Sequence, residues 1–215
     1  MRHFIWYSLL LFCTLEASVH VIGDSHSGEF ANIEGCVIHY LGPRTMHRVG
    51  RDGLEVLDFK SLGIQENETV ILAFGEIDAR CHIGKQRDLH QRDLNEIIDT
   101  LLKNYFNTIF KNLSQYQHLN ILTYTVTPPV IVAWNPEYES YGEPEDRVLI
   151  SKLLNQRLIE MSSSFGFGTI DVYDDYANPD GTLIEEQSDG SLHIRTSCNQ
   201  AIKEKLRECI NRSLS

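Results

Sequence analysis

A chain of 215 residues, 42% apolar and 23% charged, is long enough for one domain with a sizeable core and has ordinary globular composition. Its formal net charge of −11 argues against general nucleic-acid binding, because nothing in it would neutralise phosphates broadly. No domain-sized repeat and no linker interrupts it.

The N-terminus opens on basic Met1-Arg2-His3, followed by a nearly unbroken apolar run from Phe4 to Leu15 and then Glu16-Ala17-Ser18. About a dozen apolar residues are too few to span a bilayer but suit the core of a signal peptide. Residues 1–18 are therefore expected to be removed on export, to the periplasm or outside the cell. That would leave 19–215 as a single domain with no stable membrane insertion. The alternative is a buried first element of a cytoplasmic protein. Cys36, Cys81, Cys198 and Cys209 are even in number and compatible with disulfides, yet their spacing matches no known framework. No CxxC pair suggests zinc. Asn67, Asn112 and Asn211 fit the glycosylation pattern and read as chance matches.

Along the chain, Val19–Ile22 is a β-branched run that reads as a buried strand, ended by Gly23-Asp24-Ser25. Ser27 is the expected cap of a following helix. Cys36–Tyr40 reads as a second strand, closed by Leu41-Gly42-Pro43. Residues 44–53 look basic and loop-like, and Glu55–Phe59 suggests an extra short strand. Thr69–Phe74 is the clearest strand, apolar on both faces as an internal parallel strand should be. It ends in Gly75-Glu76-Ile77-Asp78-Ala79-Arg80-Cys81-His82. From Leu94 to Leu113 apolar residues recur at helical steps. Asn120–Val126 is a fourth strand, followed by a polar rim loop from about Trp134 to Pro144. A helix over 145–163, a strand over Gly168–Val172 and a helix from Ser197 to about Arg212 complete the series. Such alternation predicts an α/β fold with a parallel sheet covered on both faces.

Four loops at carboxyl ends of strands then hold the candidate chemistry: Asp24, Ser25 and His26; Gly42; Glu76, Asp78, Arg80 and His82; Asp189 and His193. In a parallel sheet all four open on one edge, where ligands bind. A strand-end Gly-Asp-Ser, a glycine after strand two, an acidic block after strand three and an Asp/His pair before the last helix together resemble the SGNH (GDSL-type) hydrolases. The resemblance runs in order and spacing over most of residues 19–213. It implies a three-layer α/β/α sandwich, flavodoxin-like, with a parallel sheet of about five strands. It also implies esterase or acyl-transfer chemistry on a small-molecule or glycan ester, with no cofactor and no metal. Carried over, Ser25 is the nucleophile, His193 its general base and Asp189 the group that orients the imidazole. The backbone N–H groups of Ser25 and Gly42 line the oxyanion hole. That assignment agrees with the chemistry, since a serine hydroxyl needs a base and the base a carboxylate.

Two departures stand out. Ile77 occupies the position of the family's asparagine, which removes a side-chain oxyanion donor, and Arg80 is the nearest substitute. Asp189 and His193 lie four apart rather than three, with Leu192 where the histidine would fall. A binding module that keeps the fold without the reaction is thus the alternative. Asp24, His26, Glu76, Asp78 and His82 would then contact a sugar or another polar ligand, or position the loops. A metal-dependent phosphoesterase is the remaining rival, on Asp24-Ser25-His26, but it lacks the further His ligands that two metals need. The acyl group, the choice between hydrolysis and transfer and the oligomeric state leave no mark in the sequence.

Overall fold

A computed structural model describes residues 18–131 and 139–213. The expected signal peptide and part of the expected rim loop therefore lie outside the described residues.

Five strands form one parallel sheet in the order β2-β1-β3-β4-β5: β1 Val19–Gly23, β2 Cys36–Tyr40, β3 Thr69–Ala73, β4 Asn120–Tyr124 and β5 Gly168–Ile170. The helices are α1 Met46–Asp52, α2 Gly84–His90, α3 Leu94–Leu113, α4 Pro144–Ser164, the single turn α5 Tyr173–Tyr176 and α6 Gln200–Ser213. Alternation along the strands divides the core in two. On one face Ile22, Val70, Leu72 and Ile121 meet α1, α3 and α4. On the other, Val21, Ile71, Leu122 and Ile170 meet Phe30, Tyr176 and the Ile202–Leu206 side of α6. The result is the three-layer α/β/α sandwich. Gly23 pairs in register with both Tyr40 and Ala73, so β1, β2 and β3 end level. The chain leaves β1 toward β2 on one side and returns to β3 on the other. That makes the crevice beyond Gly23 the topological switch point.

Several local expectations change. Residues 44–53 are not loop but contain α1. Thr45 caps it by accepting from Arg48 N–H, and the Asp78 carboxylate accepts from Met46 N–H at 2.7 Å and His47 N–H at 3.2 Å. A helix with Gly50 at its centre and three basic residues gives little local signal, but Gly50 lets α1 lie against α3. A Cβ there would stand 2.8 Å from Asn104 Cβ and 2.9 Å from its backbone carbon.

Glu55–Phe59 is not a strand. Asn112, buried on α3, meets its backbone instead, accepting from Phe59 N–H at 2.8 Å and donating to Leu57 O at 2.9 Å. Ser27 is not the cap after β1; Asp24 is, accepting from His26 N–H. Ser27 Oγ instead donates back to Asp24 O. A π-helix over Asp78–Ile83 leads into α2, where the sequence suggested only a loop. No disulfide joins Cys36, Cys81, Cys198 and Cys209. Among the described residues no helix is long and apolar enough to cross a membrane.

Candidate active site

Ser25 sits at the tip of the turn that ends β1. Gly23 is required there because a Cβ would fall 2.1 Å from Ala73 O. Asp24 N–H then donates to that same carbonyl at 3.2 Å, and the Asp24 side chain turns inward to cap the 3-10 helix Ser25–Phe30. Asp24, His26, Ser27 and Glu29 are buried, and Ser25 alone is presented to solvent. The loop after β2 is tied alongside by Leu41 N–H donating to Gly23 O at 2.9 Å. That contact keeps Gly42, at φ 76°, next to the same strand end.

The last loop closes on itself. Asp189 Oδ1 accepts from Ser191 N–H at 2.8 Å and from His193 N–H at 3.4 Å, while Asp189 N–H donates to His193 O at 3.0 Å. Leu192 turns into the interior. The extra residue between Asp189 and His193 is thus absorbed in the loop, and the side chains still meet. His193 Nδ1 lies 3.0 Å from Asp189 Oδ2, and its Nε2 lies 2.8 Å from Ser25 Oγ. Burial pushes His193 below its ordinary value, and so does the neighbouring His26; the Asp189 hydrogen bond opposes both. Asp189 is itself held below the usual carboxylate range. Burial pushes it up, but the Ser191 N–H and His193 prevail.

Beneath these three residues lies a buried polar layer. Asp24 Oδ1 accepts from His26 N–H at 2.9 Å and stands 3.1 Å from His26 Nδ1. Burial alone would lower His26, but the Asp24 hydrogen bond and the charges of Glu29, Asp24 and Glu76 raise it to about 10. Glu29 went unremarked in the sequence. Its Oε2 accepts from Tyr124 O–H at 2.6 Å and its Oε1 from Ile194 N–H at 2.8 Å, which fixes the residue next to His193. Burial pushes Glu29 up to about 7 against those contacts. An acid four residues after the exposed serine and just before apolar Phe30 was the available signal.

The block after β3 divides. Glu76 and Arg80 form a buried forked pair, with Arg80 Nε 2.5 Å from Glu76 Oε1 and Nη2 3.2 Å from Oε2. Arg80 is 4% exposed. Its fork is engaged by Glu76, four residues earlier on the same loop. Ile77 is buried in the core. Asp78 holds the start of α1, and burial pushes it up to about 7 against the Met46 and His47 N–H groups. His82 is exposed on the π-helix. With Thr45, His47, Asp78, Arg92 and Leu101 it lines a cavity of about 390 Å³ below the loops that follow β2 and β3. Ser25 and His193 are not among the residues lining this cavity. Among the described residues, no group of three or more His, Cys, Asp or Glu is arranged to hold a metal ion.

No protein-family model and no curated protein sequence matches the chain. Solved structures do match. One, from Bacteroides fragilis, is provisionally described as an acylhydrolase: 15% identity, 94% of this chain and 90% of that one, TM-score 0.65. A GDSL-like lipase from Bacteroides thetaiotaomicron matches at 12% identity, 91% and 88% coverage and TM-score 0.61. Phospholipase A1 from Streptomyces albidoflavus matches at 12% identity, 90% and 99% coverage and TM-score 0.57. At these identities the likeness establishes fold: the chain has the fold of the GDSL-type (SGNH) lipolytic hydrolases.

Proposed function

We propose that the protein is a serine hydrolase of SGNH type that cleaves or transfers the acyl group of an ester. One observation carries this reading: the continuous contact from exposed Ser25 Oγ through His193 to the Asp189 carboxylate, at 2.8 and 3.0 Å. In the reaction, the Asp189 carboxylate accepts from Nδ1–H, which leaves the Nε2 lone pair facing the serine. Ser25 Oγ bonds to the ester carbonyl carbon as its proton passes to Nε2. The tetrahedral intermediate collapses by breaking the bond to the alcohol oxygen, which leaves with that proton. Water, or the hydroxyl of an acceptor sugar, then bonds to the acyl carbon as its proton passes to Nε2, and collapse breaks the bond to Ser25 Oγ, which takes that proton back and frees the acid or the new ester. The Ser25 and Gly42 N–H groups serve the oxyanion. With Ile77 where a side-chain donor would stand, chemistry is slowed but not abolished: losing one such donor costs about 10²–10³ in rate.

A fluorophosphonate probe tests the reading. Labelling of the wild-type chain and none of Ser25→Ala is expected. Absence of labelling and of short-chain ester hydrolysis, with polar-ligand binding intact, would leave the binding-module reading in its place.

A further inference from the structure

His26 follows the exposed serine, yet its imidazole points away from solvent. It packs under His193, the two ring centroids 4.7 Å apart and tilted by 56°. Asp24 grips it twice, through the backbone N–H and through Nδ1. Its other nitrogen, Nε2, is buried without a partner among the described residues, and so are Asp24 Oδ2 and Thr127 Oγ1. The three residues line one internal cavity of about 10 Å³, close to the size of a single water. The titratable groups that face His26 are Asp24 and Glu29 from its own turn, Glu76 from the loop after β3, and His193. Those that face His193 are Asp189, His26 and Glu76. Three carboxylates thus surround His26, whereas His193 meets one carboxylate at hydrogen-bond distance and His26 across its ring.

We propose that His26 is a positioning residue that carries a permanent positive charge beneath His193 and so keeps the general base uncharged and turned toward Ser25. Asp24 on Nδ1, with a water on Nε2, satisfies both donors of the imidazolium. The buried carboxylates hold its charge. Asp189 by itself would favour protonation of His193 and remove the lone pair that the serine proton needs; the cation beneath opposes that. This role rests on the serine-hydrolase reading, but the charge state of His26 can be measured without any activity.

The first arm is a histidine ring titration of the full wild-type chain by NMR. His26 is expected to stay protonated from pH 6 to 8, while His193 titrates below its ordinary value of about 6.5. A His26 ring that is neutral at pH 7 overturns the proposal. The second arm is His26→Gln, assayed on p-nitrophenyl acetate across pH. Without the cation His193 protonates more readily, so the acid limb of kcat/KM moves up by about one pH unit. That is roughly a tenfold loss at a pH well below the limb, with the alkaline plateau retained. An equal loss at every pH would mean that His26 merely supports the fold, and the proposal falls. If His26→Gln does not fold, the wild-type titration decides. If the chain has no esterase activity, the serine-hydrolase reading fails while the His26 titration still stands or falls by itself.

Discussion

A serine at an exposed strand end has little reactivity of its own, and what distinguishes Ser25 is how few of its neighbours are free to move. His193 is held through Asp189, whose second oxygen is anchored by the Ser191 N–H. The next residue, Ile194, is fixed by buried Glu29. Because the hydroxyl, the imidazole and the carboxylate act in one proton transfer, their contributions should not multiply. Ser25→Ala and His193→Ala should each lower kcat on a short-chain ester by about three orders of magnitude or more, with the double variant little worse than either. Steady-state kinetics on the three variants check this, and independent multiplying losses would mean that the two residues serve different steps.

At the scale of elements, the strands and long helices were legible because their signal is local. Buried runs rich in β-branched residues gave β1, β3 and β4, the half-exposed edge strand β2 was read from Val37 and Ile38, and a 20-residue apolar stripe gave α3. Strand ends shifted by one or two residues where the chain leaves the ladder, as at Phe74 and Val126. What escaped was held by partners distant in sequence. The start of α1 depends on Asp78, 32 positions from Met46, and the 53–59 segment on Asn112. The Asp189–His193 contact was readable as a pair but not as a loop, since its geometry depends on Leu192 turning inward. Gly50 gives a test at this scale. Replacing it with Ala adds helix propensity of about 1 kcal/mol. The new Cβ, however, meets the backbone of Asn104 and Tyr105, which cannot yield as a side-chain end would. Overpacking of this kind costs about 1–3 kcal/mol, so Gly50→Ala should lower Tm by a few degrees. A higher Tm would show that α1 does not lie on α3 as closely as described.

For the whole molecule, the buried polar layer that serves the site should also govern stability against pH. Burial raises Glu29 from 4.5 and Asp78 from 3.8, each to about 7. Between those limits the folded chain holds protons that the unfolded chain has released, so their stabilisation is lost as pH rises from about 4 to 7. His26, raised from 6.5 to about 10, extends the same sign across the next window. Surface repulsion runs in the same direction, because a chain with a pI near 5.2 and a net charge of −11 at pH 7 becomes more anionic as pH rises. Below about pH 4 the lowered carboxylates, Asp52 and Asp189 among them, act in the opposite sense. Stability is therefore expected to peak near pH 5 and to fall toward pH 9, with Tm several degrees lower at the alkaline end. Thermal unfolding at pH 5, 7 and 9 and constant ionic strength measures it. Added salt should restore only the surface part of the loss, since buried charges are screened much less. Glu29→Gln, whose amide keeps an acceptor for Ile194 N–H, should flatten the slope between pH 4.5 and 7. A Tm at pH 9 equal to that at pH 5, or a slope unchanged by Glu29→Gln, would show that these buried groups do not carry the protons assigned to them.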